Sequence, residues 1–304
     1  MTKFKHDEFA KDLLRTILEL YGKVQIDLPI TNELRRIDVF FTPAGVMPED
    51  PTIQLLWRCA TYGASFEPFR SPVRDSEVRS TISKLLDVHS ELTRKAKREK
   101  RPEPKTEELP QLWIITPTMS EQKLELANVI KKEGWCEGIY FMSGMIRANI
   151  IVVHELPVIP ETVWFRTLGR GKVQQKAIDE IAALPKDSVY RQKVLELFAS
   201  LKVNLEASTD RDPDDMELLM SLAESPVFVE YMKQATADAV STALETNNQA
   251  FIKGLIVDRF GSVDQELSAV IPNLIKLTPS ELVPLLTHLS REELLDRFTN
   301  TTET

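Results

Sequence analysis

The chain has 304 residues, 42% of them hydrophobic and 28% charged, with a formal net charge of -8 and a pI near 5.3. That length suits two domains better than one, and the acidic balance argues against a general nucleic-acid binder, whose affinity comes mostly from neutralising phosphates. No run of about 18 uncharged apolar residues occurs and the start, MTKFKHDEFAKDLL, is too charged for a signal-peptide core, so a cytoplasmic protein with no membrane segment is expected.

In chain order, HDEFAKDLLRTILELYG places Phe9, Leu13, Leu14, Ile17, Leu18 and Tyr21 at helical spacing, with Gly22 as a left-handed stop. KVQIDLPI and RRIDVFFT, separated by ITNEL, predict an antiparallel hairpin. PTIQLLWRCATYGA predicts a short helix opened by proline, and ASFEPFR a strand in which Pro68 requires a sheet edge or a strand end. Val78, Ile82, Leu85, Leu86 and Leu92 mark a long amphipathic helix running into the basic stretch LTRKAKREKRPEPK. The Pro-rich RPEPKTEELP reads as an exposed loop. QLWIITPT, GIYFMSG and IRANIIVVHELP read as strands, with SEQKLELANVIKKEG helical between the first two.

After LPVIPE the pattern turns helical: TVWFRTLG, KVQQKAIDEIAAL, DSVYRQKVLELFASLKVNLEA and a long segment from FVEYMK to RFG. TPSELVPLLTHL and SREELLDRF follow, where Thr278 with Glu281 and Ser290 with Glu293 each give a helix start of the Ser/Thr-x-x-Glu kind. Leu282, Leu285, Leu286 and Leu289 are read as that region's own core, although the helical half can also serve self-association or a protein partner. The expected organisation is a mixed α/β domain over 1–157, a helical region over 158–250 and a small helical domain over 251–304.

Cys59 and Cys136 are far apart and the four histidines stand singly, so neither a disulfide framework nor a zinc site is signalled. GRGKV at 169–173 lacks the spacing and the hydroxyl of a phosphate loop and is read as a turn. The candidate chemistry lies in Asp38 and Glu67, acids on adjacent predicted strands. Converging carboxylates can hold Mg²⁺, which prefers oxygen ligands and activates water for attack on phosphate; the alternative is a solvated or Arg-paired carboxylate. Arg94, Lys95, Lys97 and Arg98 can contact a phosphate backbone, or can be a solvated helix end favoured by the helix dipole.

The helix beginning His6-Asp7-x-Phe9, the strand with Arg36-Ile37-Asp38, the next strand with Glu67 and the long helix after it resemble the Rpn group of recombination-promoting, transposase-like nucleases in the PD-(D/E)XK superfamily. The phrases FEPFRSP, ELPQLWIITPT and LPVIPETVWFRTLGRGKVQQKAI resemble a group common in cyanobacterial genomes, and the C-terminal segment is similar to a small helical domain appended to many Rpn-like proteins. The resemblance implies an α/β fold with a restriction-endonuclease-like mixed sheet flanked by helices, followed by an all-helical region. It also implies Mg²⁺-dependent cleavage of DNA, with Asp38 and Glu67 as ligands and Glu8 or Asp7 as a further carboxylate, although helical spacing near Lys11 and Asp12 favours Glu8 as a surface charge. The sequence departs from the motif at Phe69, where the superfamily has lysine or Rpn-like proteins glutamine. Arg70, Lys84 or Lys11 can supply the missing cation. The competing expectation is a nuclease-fold protein without cleavage that acts as a binding or assembly module through its helical half.

Overall fold

In the computed structural model, which describes residues 2–29, 36–45, 48–208, 213–275, 277 and 279–299, the first apolar stripe forms α1 (Thr2–Leu18) and buries Phe9, Leu13, Leu14, Ile17 and Leu18. The β-rich runs that follow form β1 (Gly22–Pro29) and β2 (Arg36–Pro43), paired antiparallel. The turn ITNEL between them lies outside the described residues. Gly22 is not the left-handed helix stop expected of it. It opens β1, where an added Cβ would lie 2.2 Å from the Thr42 carbonyl oxygen, so the absent side chain serves the close approach of two strands.

Asp50 accepts a hydrogen bond from the Thr52 N–H at 2.8 Å and caps a 3₁₀ turn begun by Pro51, which leads into α2 (Gln54–Ala60). Then come β3 (Ala64–Pro68), α3 (Asp75–Arg98), β4 (Gln111–Thr116), the short α4 (Glu121–Leu126), β5 (Ile139–Phe141) and β6 (Ala148–Val152). They build one mixed sheet in the order β1-β2-β3-β4-β6-β5. β3 runs antiparallel to β2 and parallel to β4, β4 runs parallel to β6, and β5 returns antiparallel. Of the two places Pro68 could occupy, it takes the strand end: β3 is interior, and Pro68 is its last residue.

The register assigns residues to two faces. Leu112, Ile114, Ala148, Ile150 and Val152 share one face and pack with Leu85 of α3 and Leu124 of α4. Ile37, Val39, Phe41, Phe66, Trp113 and Ile115 lie on the other, where the Trp113 indole N–H donates to the Cys59 carbonyl of α2 at 2.6 Å. Alternation of apolar residues with Asp38 and Glu67 therefore sets both acids on the α3 face.

Beyond the sheet are α5 (Val163–Arg166), α6 (Gly171–Ala182), α7 (Val189–Glu206), α8 (Pro213–Glu224), α9 (Pro226–Phe260), α10 (Gln265–Leu274), α11 (Pro279–His288) and α12 (Arg291–Thr299). Among the described residues no strand follows β6. The expected boundary at 157 coincides with the end of the sheet, but the chain's two compact units are residues 1–230 and 231–304. Helices α5 to α8 belong with the sheet: Phe198 of α7 lies against Phe9 of α1, ring centroids 4.7 Å apart.

In the second unit Ile252 and Ile256 of α9, Val270, Ile271 and Leu274 of α10, Leu282 and Leu286 of α11 and Leu294 of α12 form one core, with Leu285 and Leu289 packed against it. Ser290 and Glu293 make the expected capping exchange: Glu293 accepts from the Ser290 N–H at 2.8 Å, and Ser290 Oγ accepts from the Glu293 N–H at 3.3 Å. Thr278, of the other expected helix start, lies outside the described residues.

Gly138 turns the chain into β5 with φ +81°, and a Cβ there would lie 2.8 Å from the Val152 carbonyl oxygen. Gly138→Ala is therefore expected to destabilise the sheet by about 1–3 kcal/mol, visible as a lower urea midpoint with an unchanged slope.

Candidate active site

The β2–β3 ladder sets Val39 opposite Phe66 and Phe40 opposite Ser65. Carried one step past the last paired position, that register sets Asp38 beside Glu67, near enough for the charge of one to act on the other. Directly opposed residues project from the same face at short range, so two carboxylates converge where the strands meet α3. Glu67 is only 2% exposed, while Asp38 is partly open.

Two lysines answer these charges, each from a different helix. Lys84 of α3 donates from Nζ to Glu67 Oε2 at 2.8 Å. Lys11 of α1 lies 2.8 Å from Asp27 Oδ1, 3.0 Å from Asp7 Oδ2 one turn earlier in its own helix, and 3.5 Å from Asp38 Oδ1. Burial, then the charge of Asp38, push Glu67 up to about 8, with Lys84 pulling the other way. Asp38 is also raised, chiefly by burial and further by Asp7, against the opposing charges of Lys11 and Lys84. Burial opposes the charge of Lys11, but hydrogen bonds to Asp27 and Asp7 and the charge of Asp38 outweigh it and hold the ammonium well above its ordinary range.

Asp7, Asp38, Glu67 and Lys84 line a cavity of about 250 Å³ whose walls come from α1, the ends of β2 and β3, the first half of α3, the α5–α6 junction and α8. Its other polar side is formed around Asp215 of α8, which is completely buried. Asp215 Oδ1 accepts from Arg70 Nη2 at 2.8 Å and lies 2.7 Å from His6 Nε2. Arg170 donates to the Arg70 carbonyl and, at 3.1 Å, to Ser71 Oγ.

The structure thus brings Asp38, Glu67, Lys84 and Arg70 to one cavity, with different partners. Lys84 reaches Glu67; Arg70 is bonded to Asp215. Glu8 does not join them. It sits on the exposed side of α1, and the carboxylate of that turn facing the site is Asp7, because Asp7 and not Glu8 stands four residues before Lys11. Arg94, Lys95, Lys97 and Arg98 are exposed at the far end of α3, where Arg94 and Arg98 both pair with Glu91, at 2.9 and 2.7 Å. None of the four lines the cavity, and the helical rise puts Arg94 about 15 Å beyond Lys84. Phe69 lines the cavity with its ring and also packs against the core shared with α3 and β4, so the motif position presents an apolar surface instead of a cation.

Of the first helix, the sequence names Asp7 as the alternative to Glu8 and His6 within the resemblance; what it missed is the pairing of Asp7 with Lys11, the contact of His6 with Asp215, and Asp215 itself. The Asp7–Lys11 pair was readable from its four-residue spacing. Asp215 reaches its partners across 145 and 209 residues, and nothing local announces it.

The donor set suits Mg²⁺, which is usually held by one or two carboxylates, with water and substrate phosphate completing the shell. Glu67 Oε1 is buried without a hydrogen-bond partner among the described residues, an acceptor that a cation would satisfy. Among the described residues no group of three or more His, Cys, Asp or Glu gathers with metal-holding geometry, so the protein's share would be these two carboxylates.

A scan against protein-family models finds no match for the chain, and no curated protein and no solved structure matches it.

Glu67 carries its proton between an ordinary value of 4.5 and a folded value of about 8. Its contribution to stability is therefore full below the lower value and is lost as pH rises toward the upper one, at about 1.4 kcal/mol per pH unit. Glu67→Gln is expected to flatten this decline, so that its urea midpoint gains on wild type as pH is raised from 5 to 8. Parallel curves would mean that Glu67 ionises like an ordinary carboxylate.

Proposed function

We propose that the protein is a metal-dependent endonuclease of the PD-(D/E)XK kind, hydrolysing phosphodiester bonds in DNA. The observation that carries this reading is the Asp38–Glu67 pair, opposed on neighbouring strands at a cavity and flanked by Lys84. The order helix, antiparallel hairpin, third strand, helix and a fourth strand parallel to the third agrees with that superfamily's core. Asp38 and Glu67 would hold Mg²⁺, which supplies a polarised phosphate and an activated water.

The chain's own residues do the rest. Lys84 keeps a positive charge 2.8 Å from Glu67, the place the motif lysine would serve, so Phe69 need not act. A cation there stabilises the charge that builds on the phosphate as water adds and the strand oxygen departs. Lys11 holds Asp38 and Asp7 in place.

A second reading is favoured by the same ion pairs. Lys84 and Lys11 already neutralise both carboxylates, as a nuclease fold that has given up cleavage for a role as a binding or assembly module would also show.

Nicking of supercoiled plasmid separates the two. With Mg²⁺ or Mn²⁺ the wild type is expected to nick, and EDTA to stop it. Asp38→Ala and Glu67→Ala should each lower the rate by at least about 100-fold, and Lys84→Ala by a similar factor. No nicking by folded wild type would leave the binding module.

Mg²⁺ should also raise the thermal midpoint of the wild type through preferential binding to the folded state, and leave that of Asp38→Ala unchanged. An equal shift in both proteins would place the ion elsewhere.

A further inference from the structure

The half of the cavity away from the Asp38–Glu67 pair has the composition of an anion site that is already filled. Arg70 and His6 converge on one carboxylate oxygen, at 2.8 and 2.7 Å, and that carboxylate belongs to a completely buried aspartate. Two donors meeting on one anionic oxygen is the arrangement that a phosphate oxygen also requires. Both come from the elements that build the candidate active site: Arg70 stands three residues beyond Glu67, and His6 immediately precedes Asp7.

The anion is supplied from far away in sequence, by α8. The stretch from Glu206 to Glu224 carries seven acids against one arginine. A second carboxylate of α8, Glu217, is seated at the start of α6, where a Cβ built on Gly171 would come within 2.4 Å of its Oε1. Anions are favoured at a helix start by its free N–H groups and dipole. One helix thus places two acids on two anion-accepting positions of one cavity.

The cavity with α8 in place holds about 250 Å³, below the roughly 300–1,000 Å³ of pockets that enclose ordinary ligands. Glu67 lines it at 2% exposure with Oε1 unpartnered, and α8 contributes Glu217 and Leu218 to the same wall.

We propose that Arg70 and His6 form a subsite for a phosphodiester of a nucleic-acid strand, and that α8 covers this subsite through Asp215 until the strand displaces it. The identity of the ligand rests on the nuclease reading; the covering of Arg70 and His6 by α8 does not. The acidic helix acts as an internal competitor. Sequences able to displace it gain both the subsite and access to Glu67.

The test uses the full chain and a fluorescein-labelled thymidine oligonucleotide, in EDTA and low salt, so that binding is read without cleavage. Asp215→Asn is expected to tighten binding by about tenfold or more and to steepen its salt dependence by about one phosphate contact. Adding Arg70→Gln should erase that gain. An Asp215→Asn protein that keeps the wild-type circular dichroism and thermal midpoint but binds no tighter would overturn the proposal.

If Asp215→Asn does not fold, hydrogen exchange of the wild-type chain decides. Excess oligonucleotide should speed exchange across residues 213–224, and unchanged or slower exchange there counts against displacement. Tighter binding by Asp215→Asn with no plasmid nicking by either protein would remove hydrolysis and keep the subsite; nicking with unchanged affinity would do the reverse.

Discussion

Two carboxylates set side by side on adjacent strands repel each other, and much of the first unit is arranged around how that repulsion is met. Asp38 and Glu67 are forced together by the register of β2 on β3. Loss of water raises both pKa values, helped at Glu67 by the charge of Asp38 and at Asp38 by that of Asp7. Relief comes from α1 through Lys11 and from α3 through Lys84. A buried charge that loses its partner is far more costly than the intact pair is worth, so the position of each helix is fixed against the sheet by polar groups as well as by its apolar stripe.

The same economy of charge extends to the far wall. Arg70 and His6 meet Asp215, and Arg170 ties the start of α6 to the loop after β3. Buried ion pairs contribute little net stability, and their firmer role is to specify one arrangement among several that are similarly packed. Here they fix α8 against elements from the other end of the unit.

The sheet was largely legible because strands advertise themselves by alternation. RRIDVFF places Ile37, Val39 and Phe41 on one face, and so obliges Asp38 to take the other. The adjacency of Asp38 and Glu67, and the reach of Lys84, follow from element order and spacing. What stayed hidden depended on long-range packing. The segment containing α8 reads as a run of acids, although Pro213 at its first position and Leu218 with Leu222 four apart, both buried, were available as helix signals. α10 carries Pro272 inside it, which argues locally against a helix. Gly22 was misread because a glycine after an apolar stripe serves equally well as a stop or as a site of close strand approach, and only the partner strand distinguishes the two.

The packing of α1 on α7 has a consequence for the order in which the protein can be completed. Phe9 is synthesised long before the aromatic partner it packs against, Phe198. At about 5–20 residues per second on the ribosome, the first helix waits on the order of ten to forty seconds before that part of its apolar face can be covered. During that interval the nascent chain presents part of the apolar face of α1 without its mate, a surface of the kind a ribosome-associated chaperone covers.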